Sequence, residues 1–169
     1  MTIRNMSRLA LLTILVAACT GCSNSSPTAP PATAGSLADF SGQYSGTYRV
    51  KECVNDGAFV GFCEAAGLTS GTTLPIALSL SQNQGAVTGS VMLGQIAGTF
   101  QGTVSGSTLS GTAVMTDLSS DGVTASVTIT AWSTTISGSA LSGGFTVVFR
   151  LTGTTGSATL TTTIVQLTR

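Results

Sequence analysis

The sequence predicts an all-β fold: an eight-stranded antiparallel up-and-down meander barrel over residues 39–169, with a β-sandwich of the same strands as the alternative. Three observations lead there. Apolar and glycine residues alternate with Ser, Thr and Gln at a period of two, not 3.6, through eight successive segments. Short glycine-bearing links separate most of those segments, which makes consecutive strands antiparallel neighbours. A single sheet that wide with one apolar face must fold over on itself, and closure also removes its unpaired edges.

The segments follow in order. The first places Gly42, Tyr44, Gly46, Tyr48 and Val50 on the inward parity, alternating with Gln43, Ser45, Thr47, Arg49 and Lys51. The second turns Leu74, Ile76, Leu78 and Leu80 inward, and the third Val87, Gly89, Val91 and Leu93. Ile96, Gly98, Phe100, Gly102 and Val104 make the fourth; Leu109, Gly111, Ala113 and Met115 the fifth. The sixth runs through Val123, Ala125, Val127, Ile129 and Ala131, which puts Trp132 on the outer face. Leu141, Gly143, Phe145, Val147, Phe149 and Leu151 form the seventh. The eighth holds Ala158, Leu160, Thr162 and Ile164; Val165 and Leu167 then switch parity, the mark of a bulge or of an end facing both ways. Gly94, Gly98, Gly102 and Gly106 recur every four residues and are expected inside, where they let strands coil tightly.

Charged residues are 7% of the chain, so its polar surface comes from Ser, Thr and Gln. Formal net charge is zero, and without Arg4 and Arg8 four basic residues face six acidic ones. That weak field gives no electrostatic case for nucleic acid as a partner. With no histidine in the chain, no Ser–His or Cys–His pair can form. No Gly-x-Ser-x-Gly elbow occurs, and no glycine-rich loop precedes a lysine. Asp117 and Asp121 flank one turn, which is thin ligation for a metal. The sequence therefore reads as a non-catalytic protein with no cofactor and no metal.

Arg4 and Arg8 precede an apolar run, Leu9 to Ala18, of ten residues. That is too short to span a bilayer, which takes about 20. Val16-Ala17-Ala18-Cys19 follows and resembles the lipobox of bacterial lipoproteins. The resemblance implies that residues 1–18 are an export signal cleaved before an acylated Cys19, anchoring the protein to the cell envelope. Cys22, preceded by Thr20 and Gly21, is the alternative lipid site. The residues after either cysteine are Thr or Ser, with no Asp; by the same resemblance the anchor belongs in the outer membrane. Residues 19–38, rich in Ser, Thr, Pro and Ala, form a flexible tether.

Cys53 and Cys63 stand ten positions apart in an exported chain, so a disulfide is expected. They lie in the longest connection, about 54–73, with Phe59, Val60, Phe62, Ala65, Ala66 and Leu68. A solvated loop has no use for so many apolar residues. The segment is expected to fold over one end of the barrel as a lid, with one helical turn at Glu64–Gly67; it is read either as a plug completing the core or as a gate over a ligand cavity or a partner-binding patch.

Phe40-Ser41-Gly42-Gln43-Tyr44-Ser45-Gly46-Thr47-Tyr48 opens the first strand. It resembles the Gly-x-Trp opening of the lipocalins, with Tyr44 at the Trp position, and the architecture is similar to lipocalin and avidin barrels. The resemblance implies the barrel shape; where the inward glycines leave space unfilled, the inward rings would line a pocket for a small apolar ligand. The candidate lining is the inward aromatic set Tyr44, Tyr48, Phe100, Phe145 and Phe149. The other reading is a structural or protein-interaction module of the envelope with a solid core. A filled or an open interior separates the two.

Overall fold

A computed structural model of the chain describes residues 36–115, 118–120 and 123–169. The expected export signal, Cys19, Cys22, most of the expected tether, Asp117 and Asp121 lie outside these residues. Nine strands form one sheet: β1 (Gly42–Asn55), β2 (Thr73–Asn83), β3 (Ala86–Leu93), β4 (Ile96–Ser105), β5 (Thr108–Met115), β6 (Leu118–Ser120), β7 (Val123–Ser137), β8 (Ala140–Leu151) and β9 (Ala158–Thr168). All the pairings are antiparallel, β1 pairs with both β2 and β9, and β5 pairs with β7. The three residues of β6 extend the line of β5 along β7. The architecture is thus a closed eight-stranded up-and-down barrel, as the alternation predicts, and not a sandwich.

Burial follows the predicted parity through most of the wall. Ile76, Leu78 and Leu80 on β2, Val87, Val91 and Leu93 on β3, and Phe100 and Val104 on β4 all turn into one core. The sheet departs from strict alternation at bulges. Val165 is an extra residue on β9 between the pairs Thr47–Gln166 and Tyr48–Ile164. Ile164 and Leu167 are therefore both buried while Val165 is exposed, which is the bulge the parity switch foretells.

A second bulge corrects one expectation. On β7 the register slips between Ile129 and Ala131, so one extra residue enters the strand there. Ile129 and Trp132 both turn inward as a result, and Trp132 is 2% exposed rather than outward-facing. Its indole stacks on Phe145, with centroids 5.0 Å apart, and meets Phe100 edge-on at 5.5 Å. Thr134, buried by the same slip, accepts the indole N–H at 2.9 Å. The glycine expectation is corrected too. Gly94 and Gly106 sit in turns with φ of +61° and +58°, whereas Gly98 and Gly102 stand inside β4 close to the neighbouring strand β5.

Between Ala140 and Thr146 the β8–β9 pairing is interrupted. Thr162, on the inward face of β9, fills the gap. Its hydroxyl donates to the Phe145 carbonyl at 2.8 Å and accepts from the Phe145 N–H at 3.3 Å. A hydroxyl in the core is thus a substitute for a missing ladder rung. Thr162→Val is expected to lower unfolding stability by about 2 kcal/mol, because two buried backbone groups lose their partner. Thr162→Ser should keep most of it. Urea midpoints of the two variants check this; a valine variant as stable as its parent would contradict it.

The two ends of the barrel differ. At the end where β1 begins, residues 38–41 cross the opening. The Ala38 N–H donates to the Gly106 carbonyl at 2.9 Å. Gln82 accepts the Phe40 N–H through Oε1 at 2.8 Å and donates Nε2 to the Ala38 carbonyl at 3.0 Å. Arg169 donates to the Ser41 carbonyl at 2.6 Å, lies 3.6 Å from Asp39, and places its guanidinium 5.9 Å from the Tyr44 ring centroid. Phe40, wholly buried, plugs that end.

Candidate functional site

The opposite end is where β1 runs out, and there the chain between β1 and β2 folds back. It forms a 3-10 turn (Gly57–Phe59) and the short helix α1 (Phe62–Ala65). Both margins are tied down. Asp56 donates its N–H to the Ser157 carbonyl at 3.0 Å, and its carboxylate accepts the Ser157 N–H at 2.6 Å. Gly71 donates to the Val50 carbonyl at 2.9 Å, and Val50 donates to the Thr72 carbonyl at 2.8 Å. The Cys53–Cys63 disulfide joins α1 to the end of β1, across Cα atoms 5.9 Å apart. The lid expected from the apolar composition of this segment is present, and so is its helical turn, shifted a residue or two earlier.

Under the lid lies a partly open cavity of about 400 Å³. The lid contributes Ala58, Phe59, Phe62, Ala66 and Leu68 to its lining. The barrel wall contributes Leu74, Leu93, Val127, Val147 and Leu160, among others. Phe62 bridges the two sets, with ring centroids 5.3 Å from Phe59 and 5.1 Å from Phe149. Among the described lining residues, Tyr48 carries the only polar side-chain group.

The five aromatic residues predicted as lining divide by height along the barrel. Tyr48 and Phe149 line the cavity. Phe100 and Phe145 do not; they pack with Trp132 into an aromatic layer below it. Tyr44 is buried beside Arg169 toward the plugged end, and its hydroxyl has no hydrogen-bond partner among the described residues. Tyr48 sits at the boundary, its ring edge-on to Phe145 at 5.1 Å. Phe59, Phe62, Val127, Val147 and Leu160 are lining residues that parity alone does not single out. The usable signal is strand register, since each wall residue among them lies toward the lid end of its strand.

Burial pushes the Tyr48 hydroxyl up to about 12, so it remains a neutral donor throughout the physiological range. The sign of its stability effect follows. An unfolded tyrosine ionises near 10.0. The folded state holds its proton longer, so this contribution is complete below that value and is lost as pH climbs towards 12. Urea midpoints are expected to fall as pH rises from about 10 towards 12, and Tyr48→Phe to flatten that fall. An equal alkaline loss in the phenylalanine variant would contradict it.

Among the described residues, no group of three or more His, Cys, Asp or Glu is placed to hold a metal ion. Fold and site together define a small single-chain β-barrel, filled at one end and hollow beneath a disulfide-pinned lid at the other. Comparison with protein-family models, with curated proteins and with solved structures finds no match to this chain.

Proposed function

We propose that the protein is a lipid-anchored, non-catalytic envelope lipoprotein whose barrel takes up a small apolar ligand beneath the lid. The carrying observation is the cavity of about 400 Å³ with its almost wholly apolar lining. Ligand sites are concave and mostly apolar, hold on the order of 300–1,000 Å³, and recur at the mouths of β-barrels. The lid adds to the case. A plug that merely completes a core leaves no room behind it, whereas this one roofs a space. The anchoring half of the proposal rests on Val16-Ala17-Ala18-Cys19 after its apolar run.

The test uses the neutral fluorophore N-phenyl-1-naphthylamine. Its emission is expected to rise and shift to the blue with the protein, saturating at one site. Ala125 lines the cavity, and Ala125→Trp is expected to fill it and remove most of the binding while far-ultraviolet circular dichroism stays that of a barrel. Binding that survives the tryptophan would place the fluorophore elsewhere and overturn the cavity reading. For the anchor, cells fed an alkyne fatty acid are expected to label the protein, and Cys19→Ala to abolish the label. Retention of label with Cys19→Ala and its loss with Cys22→Ala would move the lipid to Cys22.

A further inference from the structure

The lining is not merely apolar but empty of charge, and that restricts what can enter. Among the described residues, none of the side chains around the cavity is Asp, Glu, Lys or Arg. Among the described residues, the bases Arg49 and Lys51 on β1 and Arg150 on β8 are all exposed, and none lines the cavity. In the stretches between β5 and β7 that fall outside the described residues, the sequence supplies two acids, Asp117 and Asp121, and no base. An anion placed beneath the lid would lose its hydration and meet no countercharge, a strongly unfavourable transfer. A cation would meet no carboxylate among the described lining residues. A neutral lipophile carries no such penalty.

One polar group remains. Tyr48 reaches the cavity from its floor, ring edge-on to Phe145. Burial alone perturbs its hydroxyl, with no hydrogen bond to it among the described residues, and the residue faces the cavity; the Trp132 indole and the Thr162 hydroxyl are by contrast both satisfied. A phenol in so apolar a setting gains by meeting a ligand oxygen. Resting on the ligand-binding reading above, we infer that the ligand is an uncharged lipophile bearing one hydroxyl or carbonyl oxygen, with Tyr48 as the residue that reads that oxygen. Long-chain anions such as fatty carboxylates are then excluded by the site itself.

The experiment displaces N-phenyl-1-naphthylamine with three probes of matched chain: dodecan-1-ol, dodecanoate and dodecane. At pH 8 the alcohol is expected to compete at least tenfold better than the carboxylate. At pH 4, where the carboxyl group is largely protonated, dodecanoic acid should close most of that difference. Tyr48→Phe is expected to weaken the alcohol about threefold to tenfold more than it weakens dodecane; a far-ultraviolet circular dichroism spectrum and a neutral-pH urea midpoint close to the parent's show that the variant is folded. Carboxylate competing as well as alcohol at pH 8, or an alcohol indifferent to Tyr48→Phe, overturns this inference and leaves ligand binding standing. Failure of the fluorophore and of all three probes to bind overturns the underlying reading instead.

Discussion

Replacing Gly46 by alanine is expected to lower unfolding stability by about 3 kcal/mol or more, a larger loss than most single substitutions produce. The cause is a close approach of two strands. Gly46 stands on β1 opposite Leu167 of β9, beside the point where Val165 is inserted. A Cβ added there would run into the Gln166 carbonyl oxygen, with the Leu167 Cα at 2.8 Å. Backbone cannot swing aside as a side chain can. Relief would require β9 to leave β1, and this pairing helps close the barrel. The Gly46→Ala variant should therefore show a melting temperature lower by about 10 °C or more. Ser45→Ala, on the outer face one residue away, should change it little. A Gly46→Ala protein melting within two degrees of its parent would show that the wall is looser here than its geometry implies.

Removing the Cys53–Cys63 disulfide is the second large perturbation, and its effect should be local. Closing a loop of this length contributes about 2–3 kcal/mol through the entropy of the open chain. The segment it closes is the lid, whose other ties are a few backbone hydrogen bonds and one carboxylate. The loss is expected to fall mainly on lid opening rather than on global unfolding. Paired Cys53→Ser and Cys63→Ser substitutions should speed amide exchange at Ala65, Ala66 and Leu68, whose N–H groups are bonded within the lid, by about thirtyfold or more. Amides of β4 should keep their protection. Fluorophore affinity should fall in the same variant, because Phe59, Phe62 and Leu68 would no longer be held over the cavity. Unchanged lid exchange would mean that the backbone ties suffice without the cross-link.

Much of the fold is legible in the residues because its rule is simple. Which positions turn inward is written in the two-residue alternation, and even the Val165 bulge announces itself through the parity switch. The bulge on β7 is hidden for a physical reason. Ala131 is small enough to suit either face, so Ile129-Thr130-Ala131-Trp132 reads as unbroken alternation, and the slip that buries Trp132 leaves no mark. The spacing of Gly94, Gly98, Gly102 and Gly106 misleads in a related way. It joins two turn residues to two strand residues that serve different needs. The site is half legible. The apolar loop with Cys53 and Cys63 forecasts a pinned lid, and inward aromatics forecast an apolar interior. Parity says in or out, however, and not how far along the barrel axis. Tyr44, Phe100 and Phe145 are therefore indistinguishable in sequence from Tyr48 and Phe149, although only the latter two reach the cavity.

That division into a solid half and a hollow half is what the functional account depends on. A methyl-resolved NMR titration with dodecan-1-ol reads both halves at once. The account predicts shifts at Leu74, Val127, Val147 and Leu160 around the cavity, and none at Val87, Leu109 and Leu141, which are buried towards the plugged end. Shifts concentrated on the plugged-end methyls, or on exposed Val114 and Val165 with the cavity methyls silent, would contradict it.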